Sequence, residues 1–386
     1  MAASPAAVLE ITRRCHAGLD ASTLQEELLK RLQRVVAFDA ASISTVDPAT
    51  LLPTSLWAEE SPPEVFPPLL ANEYLEDDFS KFRDLVRGRR RVDSLHRATH
   101  DRPERSPRFR HVFAPTGMGD ELRAAFVTAG TCWGLACLLR DDSSPTFTEP
   151  EACLIAKLGP HIAEGFRMSM LLEQGSLDRP DPDGPGVLVL TDDLSILASN
   201  PVADRWLAEI TTERDPVING LPYAVSGVVA ALRGLSSPEL ASDIQPRVRI
   251  RARSGRGLVL HASYLAGDHE GAQAIAVVLE PARRVELAPL FMQAHGLTPK
   301  ESEVTRLVLL GKSTTEISPE LCISEHTVQD HLKSIFDKVG VGSRRELVAQ
   351  ILSEHAGHEA EFPGWRADRR TLMSRAPLRA LRGTAC

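Results

Sequence analysis

Between Leu297 and Ser353 the chain is punctuated four times by a hydroxyl residue where a helix can open: Thr298, Ser313, Ser324 and Ser343. Glutamates stand three residues after three of them, at Glu301, Glu316 and Glu346. The hydroxyl accepts from a backbone N–H of the first turn, and the glutamate reaches back to the capping residue's own N–H. Pro299 sits in the first turn of its helix and Gly311 lies just past the end, the usual asymmetry of helix boundaries. Four short helices therefore fill 297–353, and only Cys322, Ile323 and Ser324 connect the second to the third. That spacing is a helix-turn-helix with one helix added. Pro319 falls inside the second helix, where the missing N–H is expected to shorten or kink it.

The third helix, within "ISEHTVQDHLKSIFDKVG" (323–340), has two faces. Val328, Leu332, Ile335, Phe336 and Val339 recur at helical spacing and form the stripe to be buried. Asp330 then points almost directly outward. Gln329, Lys333, His326 and Asp337 lie to one side of it, and Ser334 to the other. In order and spacing, "LTPKESEV", "GKSTTEIS", "ISEHTVQDHLKSIFDKVGV" and "SRRELV" resemble the DNA-binding domain of LuxR-type regulators. The resemblance implies that the third helix enters the major groove of double-stranded DNA, with Gln329, Asp330 and Lys333 near base edges. It implies phosphate contacts from Lys312, Thr315, Ser324, Thr327, Lys338 and Arg344. It also implies a homodimer through Leu347, Val348 and Ile351 of the fourth helix. Position 329, often lysine in the family, is glutamine here. Gln329 suits adenine and Lys333 guanine, while Asp330 would accept from a cytosine amino group or penalise contacts made to phosphate alone.

The remaining chain is long enough for one or two further domains. The whole chain is 43% hydrophobic, enough to bury further cores. Gln174 to Gly186, "QGSLDRPDPDGPG", has a linker's composition, with almost nothing to bury. Block one, residues 5–172, opens with Leu24, Leu28, Leu29 and Leu32 on one helical face and passes into the strand-like "AASISTVD". After an Arg-rich middle, "ELRAAFVTAG" and "TCWGLACLLRDD" predict a hairpin turning at Gly130. A closing helix begins at Thr148, with Pro150 in its first turn and Glu151 completing a capping box. This α+β plan resembles a GAF sensor domain, through Gly134 and Leu135 before the Asp-rich turn and "FTEPE" opening the last helix. No cyclic-nucleotide pattern accompanies it.

Block two, 187–281, reads as two strands, a helix after Asn200, then "RVRIRARSGRGLVLHASYL" turning at Ser254-Gly255 and a closing strand "AQAIAVVLEP". It resembles a PAS domain, also α+β. A phospho-receiver reading of "VLVLTDD" fails, because that chemistry needs a lysine and none occurs between Lys157 and Lys300. Residues 282–296 are a connector with some helical character. The expected architecture is thus multidomain: a linker at 173–186, two α+β sensor-like domains, an all-α four-helix module at 297–353, and an Arg-rich tail at 354–386 expected to be disordered.

No GxSxG, HExxH or paired carboxylates point to an enzyme, no cofactor motif is identifiable, and "GKST" at 311–314 lacks the glycine a phosphate loop requires. Six cysteines without CxxC or zinc spacing fit a reducing cytoplasm, and no apolar run is long enough for a membrane span. Cys132, Cys137 and Cys153, or His96, His100, His111 and His161, leave a redox- or haem-sensing alternative open beside inert core filling. A scaffold whose sensor blocks recruit partners is the other alternative. The module carries seven Lys/Arg against eight Asp/Glu and the whole chain a formal charge of −8. DNA affinity therefore has to come from where cations sit, doubled by dimerisation, with the tail's arginines as a supplement. The expected role is a cytoplasmic transcription regulator. A small effector or partner at the sensor domains would shift the DNA-competent dimer, and RNA polymerase would be a further partner.

Overall fold

The leucine stripe of block one lines the buried side of a helix that packs with its neighbours over a sheet. A computed structural model describes residues 4–172, 184–211, 215–236, 245–265 and 274–352. The first unit contains α1 (Pro5–Cys15), α2 (Ala21–Leu32), β1 (Ala40–Val46), β2 (Pro53–Glu59), α3 (Phe66–Leu75), α4 (Phe82–Arg87), β3 (Val92–Ser94), α5 (Leu95–Thr99), β4 (Met118–Thr128), β5 (Thr131–Asp141) and α6 (Glu149–Leu172). Its sheet is antiparallel throughout, in the order β2-β1-β5-β4-β3. The β4–β5 hairpin turns at Ala129-Gly130, both at positive φ, the conformation a two-residue turn needs. On one face, Ile43, Leu122, Phe126 and Leu138 pack under α1, α2 and α6. Gly134 permits this approach: a Cβ there would lie 2.6 Å from the Phe166 ring of α6 and 2.8 Å from the Ser44 carbonyl.

The second unit follows as β6 (Gly186–Leu190), β7 (Ile196–Ser199), α7 (Pro201–Ile210), β8 (Val217–Ile218), β9 (Leu221–Pro222), α8 (Tyr223–Gly234), β10 (Arg247–Arg251), β11 (Gly257–Leu265) and β12 (Ala274–Pro281). Asn200 caps α7 through Ala203 N–H, at 2.8 Å. The five-stranded sheet runs β7-β6-β12-β11-β10, again antiparallel. With only the strands of each five-stranded sheet counted, and the separate β8-β9 pair left aside, both sheets have the order second, first, fifth, fourth, third. An all-antiparallel sheet is not the parallel doubly wound sheet of a receiver fold, so the topology agrees with the missing lysine.

The two units share a core. Leu52, Leu56, Phe66 and Leu70 of the first pack with Leu188, Val225, Val228 and Val248 of the second. Arg249 clamps Asp47 across this junction, donating from Nε at 2.9 Å and Nη2 at 2.6 Å. Asp215 accepts from Leu56 N–H at 2.8 Å. The alternating arginines of "RVRIRARS" thus serve the fold: Arg247 pairs with Glu286, and Arg251 and Arg253 donate to backbone carbonyls.

Residues 282–296, expected as a connector, hold α9 (Arg284–Ala294). Leu290 and Ala294 belong to the first unit's core, whereas Ala288, Phe291 and Met292 enter the core of the C-terminal module. One helix is therefore built into two cores. The module itself is α10 (Pro299–Leu309), α11 (Thr314–Leu321), α12 (Glu325–Val339) and α13 (Arg344–Leu352). Among the described residues no helix is long and apolar enough to cross a membrane. Of the linker expected at 173–186, Gly186 already opens β6, while residues 173–183 and the Arg-rich tail lie outside the described residues.

Candidate nucleic-acid interface

The caps form as their spacing requires. Thr298 Oγ1 accepts from Glu301 N–H at 3.3 Å, and Glu301 Oε2 accepts from Thr298 N–H at 2.7 Å. Ser313 and Glu316 repeat the arrangement at 3.3 and 2.7 Å. Ser324 Oγ accepts from Thr327 N–H at 3.1 Å, and Ser343 Oγ from Glu346 N–H at 3.2 Å. Pro319 neither breaks nor shortens α11, which continues to Leu321, because the proline falls in its last turn. Cys322 then takes a left-handed conformation (φ 54°) and sends its N–H back to the Ser318 and Pro319 carbonyls. This is the tight turn that sets α12 against α11.

Val328, Leu332, Ile335 and Val339 are buried with Val304, Leu307, Ile317 and Leu321, and Phe336 is partly buried beside them. Gln329, Asp330 and Lys333 are exposed together on the opposite face. The Asp330 side chain is 67% exposed, with His326 Nε2 one turn away at 3.7 Å. Lys333 has no ion-pair partner among the described residues.

The cations assigned to phosphate sit in different circumstances. Lys338 donates to Glu301 Oε2 at 2.6 Å, and Ser334 donates to Glu301 Oε1 at 2.7 Å. Burial pushes the Glu301 carboxyl up, but hydrogen bonds from Lys338, Ser334 and Thr298 outweigh it and hold the group at about 2. Glu301 is thus both a cap and the strut that ties the start of α10 to the end of α12. Its +3 position after Thr298 revealed the first role; no local signal carried the second. Lys312 pairs with Glu320 at 3.2 Å. Arg344 donates to the Lys312 carbonyl, joining α13 to the turn before α11. Thr315 and Ser324 are exposed and Thr327 is half-buried, with its hydroxyl 2.8 Å from that of Ser324. Exposed Arg306 and Arg345, which the spacing did not single out, also lack an ion-pair partner among the described residues. In α13, Leu347 and Ile351 are buried in the module's core with Phe291 and Met292 of α9, and Val348 is partly buried.

The sequence pattern described as "Bacterial regulatory proteins, luxR family" matches residues 295–351. The spore germination protein GerE of Bacillus subtilis is 43% identical over 56 residues, which are 14% of this chain and 76% of GerE. The chain belongs to the LuxR family. It is a DNA-binding transcription regulator, and the matched stretch spans the four helices just described. The nitrate/nitrite response regulator NarL of Escherichia coli is 27% identical over 171 residues, covering 43% of this chain and 76% of NarL. Among solved structures, a VqmA–ligand–DNA complex from Vibrio cholera covers 46% of this chain and 84% of that one, at 16% identity and a TM-score of 0.21.

The remaining polar candidates do not assemble into a metal site: no group of three or more His, Cys, Asp or Glu able to hold an ion occurs among the described residues. His16 and His161 form a pair, with Nε2 3.1 Å from Nδ1. His96 lies against Asp101. Cys132 is buried in the sheet, where desolvation pushes its thiol up to about 12, and Cys153 is exposed on α6.

Proposed function

We propose that this LuxR-family regulator binds a two-fold-related DNA site as a homodimer, with α12 in the major groove and Gln329, Asp330 and Lys333 at base edges. Supporting this is one observation above the others: α12 buries Val328, Leu332, Ile335 and Val339 and turns these three polar residues outward together, in the second helix of a capped helix-turn-helix. Lys312, Thr315, Ser324, Thr327, Lys338 and Arg344 would meet phosphates, with Lys338 and Lys312 exchanging their glutamate partners for the DNA backbone or sharing them with it. Val348 is the member of the Leu347, Val348 and Ile351 set nearest solvent. A dimer through α13 would use it with exposed neighbours such as Arg345, or would draw α9 off the other two.

The units at 5–172 and 187–281 act, in this reading, as GAF-like and PAS-like sensor domains that bias the DNA-competent state. Two features favour that assignment. Each unit forms an antiparallel five-stranded sheet with helices in the order the resemblance implies. Helix α9, shared between the first unit's core and the module's, offers a rigid path by which a change in one reaches the other.

Fluorescence anisotropy with the full chain and its own upstream DNA tests the reading. Binding should saturate, weaken steeply with salt, and protect two half-sites about one helical turn apart. Lys333→Ala should weaken specific binding by about 1–3 kcal/mol. Unchanged affinity at physiological salt would overturn the docking of α12.

A further inference from the structure

Period-2 alternation in the first sheet conceals a polar face. In β4, Leu122, Ala124 and Phe126 point toward α6, so Glu121 and Arg123 point the other way. In β1, Ser42 and Ser44 alternate with Ala41 and Ile43 in the same sense. The charges on this face are matched within the fold. Arg108 donates to Glu121 at 2.9 Å, Arg123 donates to Glu73 at 2.7 Å, and Lys81 donates to the Asn72 and Glu73 carbonyls at 2.8 and 2.9 Å. The hydroxyls are not matched.

Between the sheet and α3 lies a cavity of about 80 Å³, open at one side. A water-sized group needs roughly 10–15 Å³ on such a measure, so about half a dozen fit. Phe66, Leu69, Leu70 and Phe113 give the cavity an apolar wall. Ser42 and Ser44 of β1, Tyr74 of α3 and Tyr223, which opens α8 of the second unit, also line it. None of these four hydroxyls has a hydrogen-bond partner among the described residues. Their oxygens are reachable, whereas the Nε of Arg123 is enclosed. Ser44 is only 6% exposed, and a hydroxyl buried that far without a partner is exceptional in a folded protein. Four around one space mark it as a seat for a polar group.

Charge narrows the occupant. Arg108, Arg123 and Lys81 face Glu73, Asp78 and Glu121. An anion would enter against the carboxylates, and a cation against the guanidinium groups. The hydroxyls narrow it further. Burial raises both phenols, so they keep their protons. Each serine or tyrosine hydroxyl then donates one hydrogen and accepts others. A ligand that only accepts would leave their lone pairs bare, whereas an alcohol answers both needs. One alcohol group makes about three hydrogen bonds at most, so four protein hydroxyls call for at least two. Water offers the same bonds but leaves the apolar wall wet. An alcohol with a carbon tail reproduces water's bonds and covers the wall as well.

We propose that this cavity binds a small uncharged amphiphilic alcohol, with two or more hydroxyls at one end seated among Ser42, Ser44, Tyr74 and Tyr223 and its carbon tail against the apolar wall. The proposal rests on the sensor reading above and names the chemical class of its effector. Tyr74 belongs to the first unit and Tyr223 to the second, so an occupant bonded to both ties the two units together.

The test uses the full chain without DNA, so its failure bears on the ligand alone and leaves DNA recognition by α12 standing. Ligand-observed NMR titrations would compare three probes with equal numbers of non-hydrogen atoms. Butane-1,2-diol has the proposed chemistry, its isomer 1,2-dimethoxyethane only accepts hydrogen bonds, and lactate carries a negative charge. The Kd for the diol should be lower than for either of the others by about tenfold or more. Ser44→Ala combined with Tyr223→Phe removes two hydroxyls and no charge. It should weaken the diol by about tenfold or more while circular dichroism stays unchanged. Equal or tighter binding of either comparison probe, no saturable binding of the diol, or undiminished binding by the folded double variant would each overturn the proposal. Should the double variant not fold, the comparison of the three probes on the unaltered chain still decides.

Discussion

The first unit and the C-terminal module use the same charged residue types in opposite ways. In the first unit Arg108, Arg123, Glu121 and Lys81 lie within the fold and are held by specific partners. In the module Lys333 and Asp330 stand exposed on the face that the core leaves over. Buried charges cannot be replaced by water, so each loss leaves a partner uncompensated. Exposed charges are solvated already and add little to the fold, which leaves them available to a partner. Glu301 and Lys338 occupy the middle ground: a nearly buried carboxylate holds a lysine in the last turn of α12.

Four substitutions would sharpen or break that contrast. Arg108→Met strands both Asp78 and Glu121 in the interior and should destabilise the first unit by about 3–5 kcal/mol. Urea unfolding followed through Trp57 and Trp133 measures this, and a loss below about 1 kcal/mol would show that the cluster is hydrated. Glu301→Gln should cost the module about 1–3 kcal/mol, read by hydrogen exchange in α10 and α12. Its carboxyl is held at about 2 against an ordinary 4.5, so the stabilisation is complete above the ordinary value. It fades as pH falls from about 4.5 toward about 2. The gap between wild type and Glu301→Gln should close over that window, and a gap that persists at pH 2 would place the effect elsewhere.

Lys333→Ala, the DNA-binding test proposed above, should leave stability within about 0.5 kcal/mol. A larger thermal shift would mean that the residue serves the fold. Asp330→Ala is the smallest. It should raise affinity for non-specific DNA more than for the specific site, by less than about 1 kcal/mol, since one exposed like charge is removed from the phosphates' side. Anisotropy on random and upstream duplexes compares the two, and an equal gain on both would remove Asp330 from any role in specificity.

The module was legible because its signals are local. A cap, its glutamate and the following apolar stripe lie within one or two turns, so Thr298, Ser313 and Ser324 announce their helices without help from the rest of the chain. The closing helix at Thr148 and the Ala129-Gly130 hairpin were legible for the same reason. Block one's middle was not. Its helices are short, and their order depends on contacts such as Arg108 to Glu121 and Arg123 to Glu73 that span 13 and 50 residues. Arg123 sits in a stretch that reads as an apolar strand, and nothing nearby indicates that its partner lies on α3. Helix α9 was underestimated in the same way, since half of its stripe matches one core and half another.

By itself the sequence determined the LuxR-type module, its register of helices and the outward face of α12, because helix capping and 3.6-residue periodicity act over a few residues. Only the tertiary structure decided which charges are spent inside the molecule. It committed Lys338 to Glu301, joined the two units through Arg249 and Asp47, and buried Arg123 against Glu73 and the Phe82 ring. Those outcomes depend on distances between residues far apart in the chain, and electrostatic and hydrogen-bond energies change steeply over the last ångström of approach.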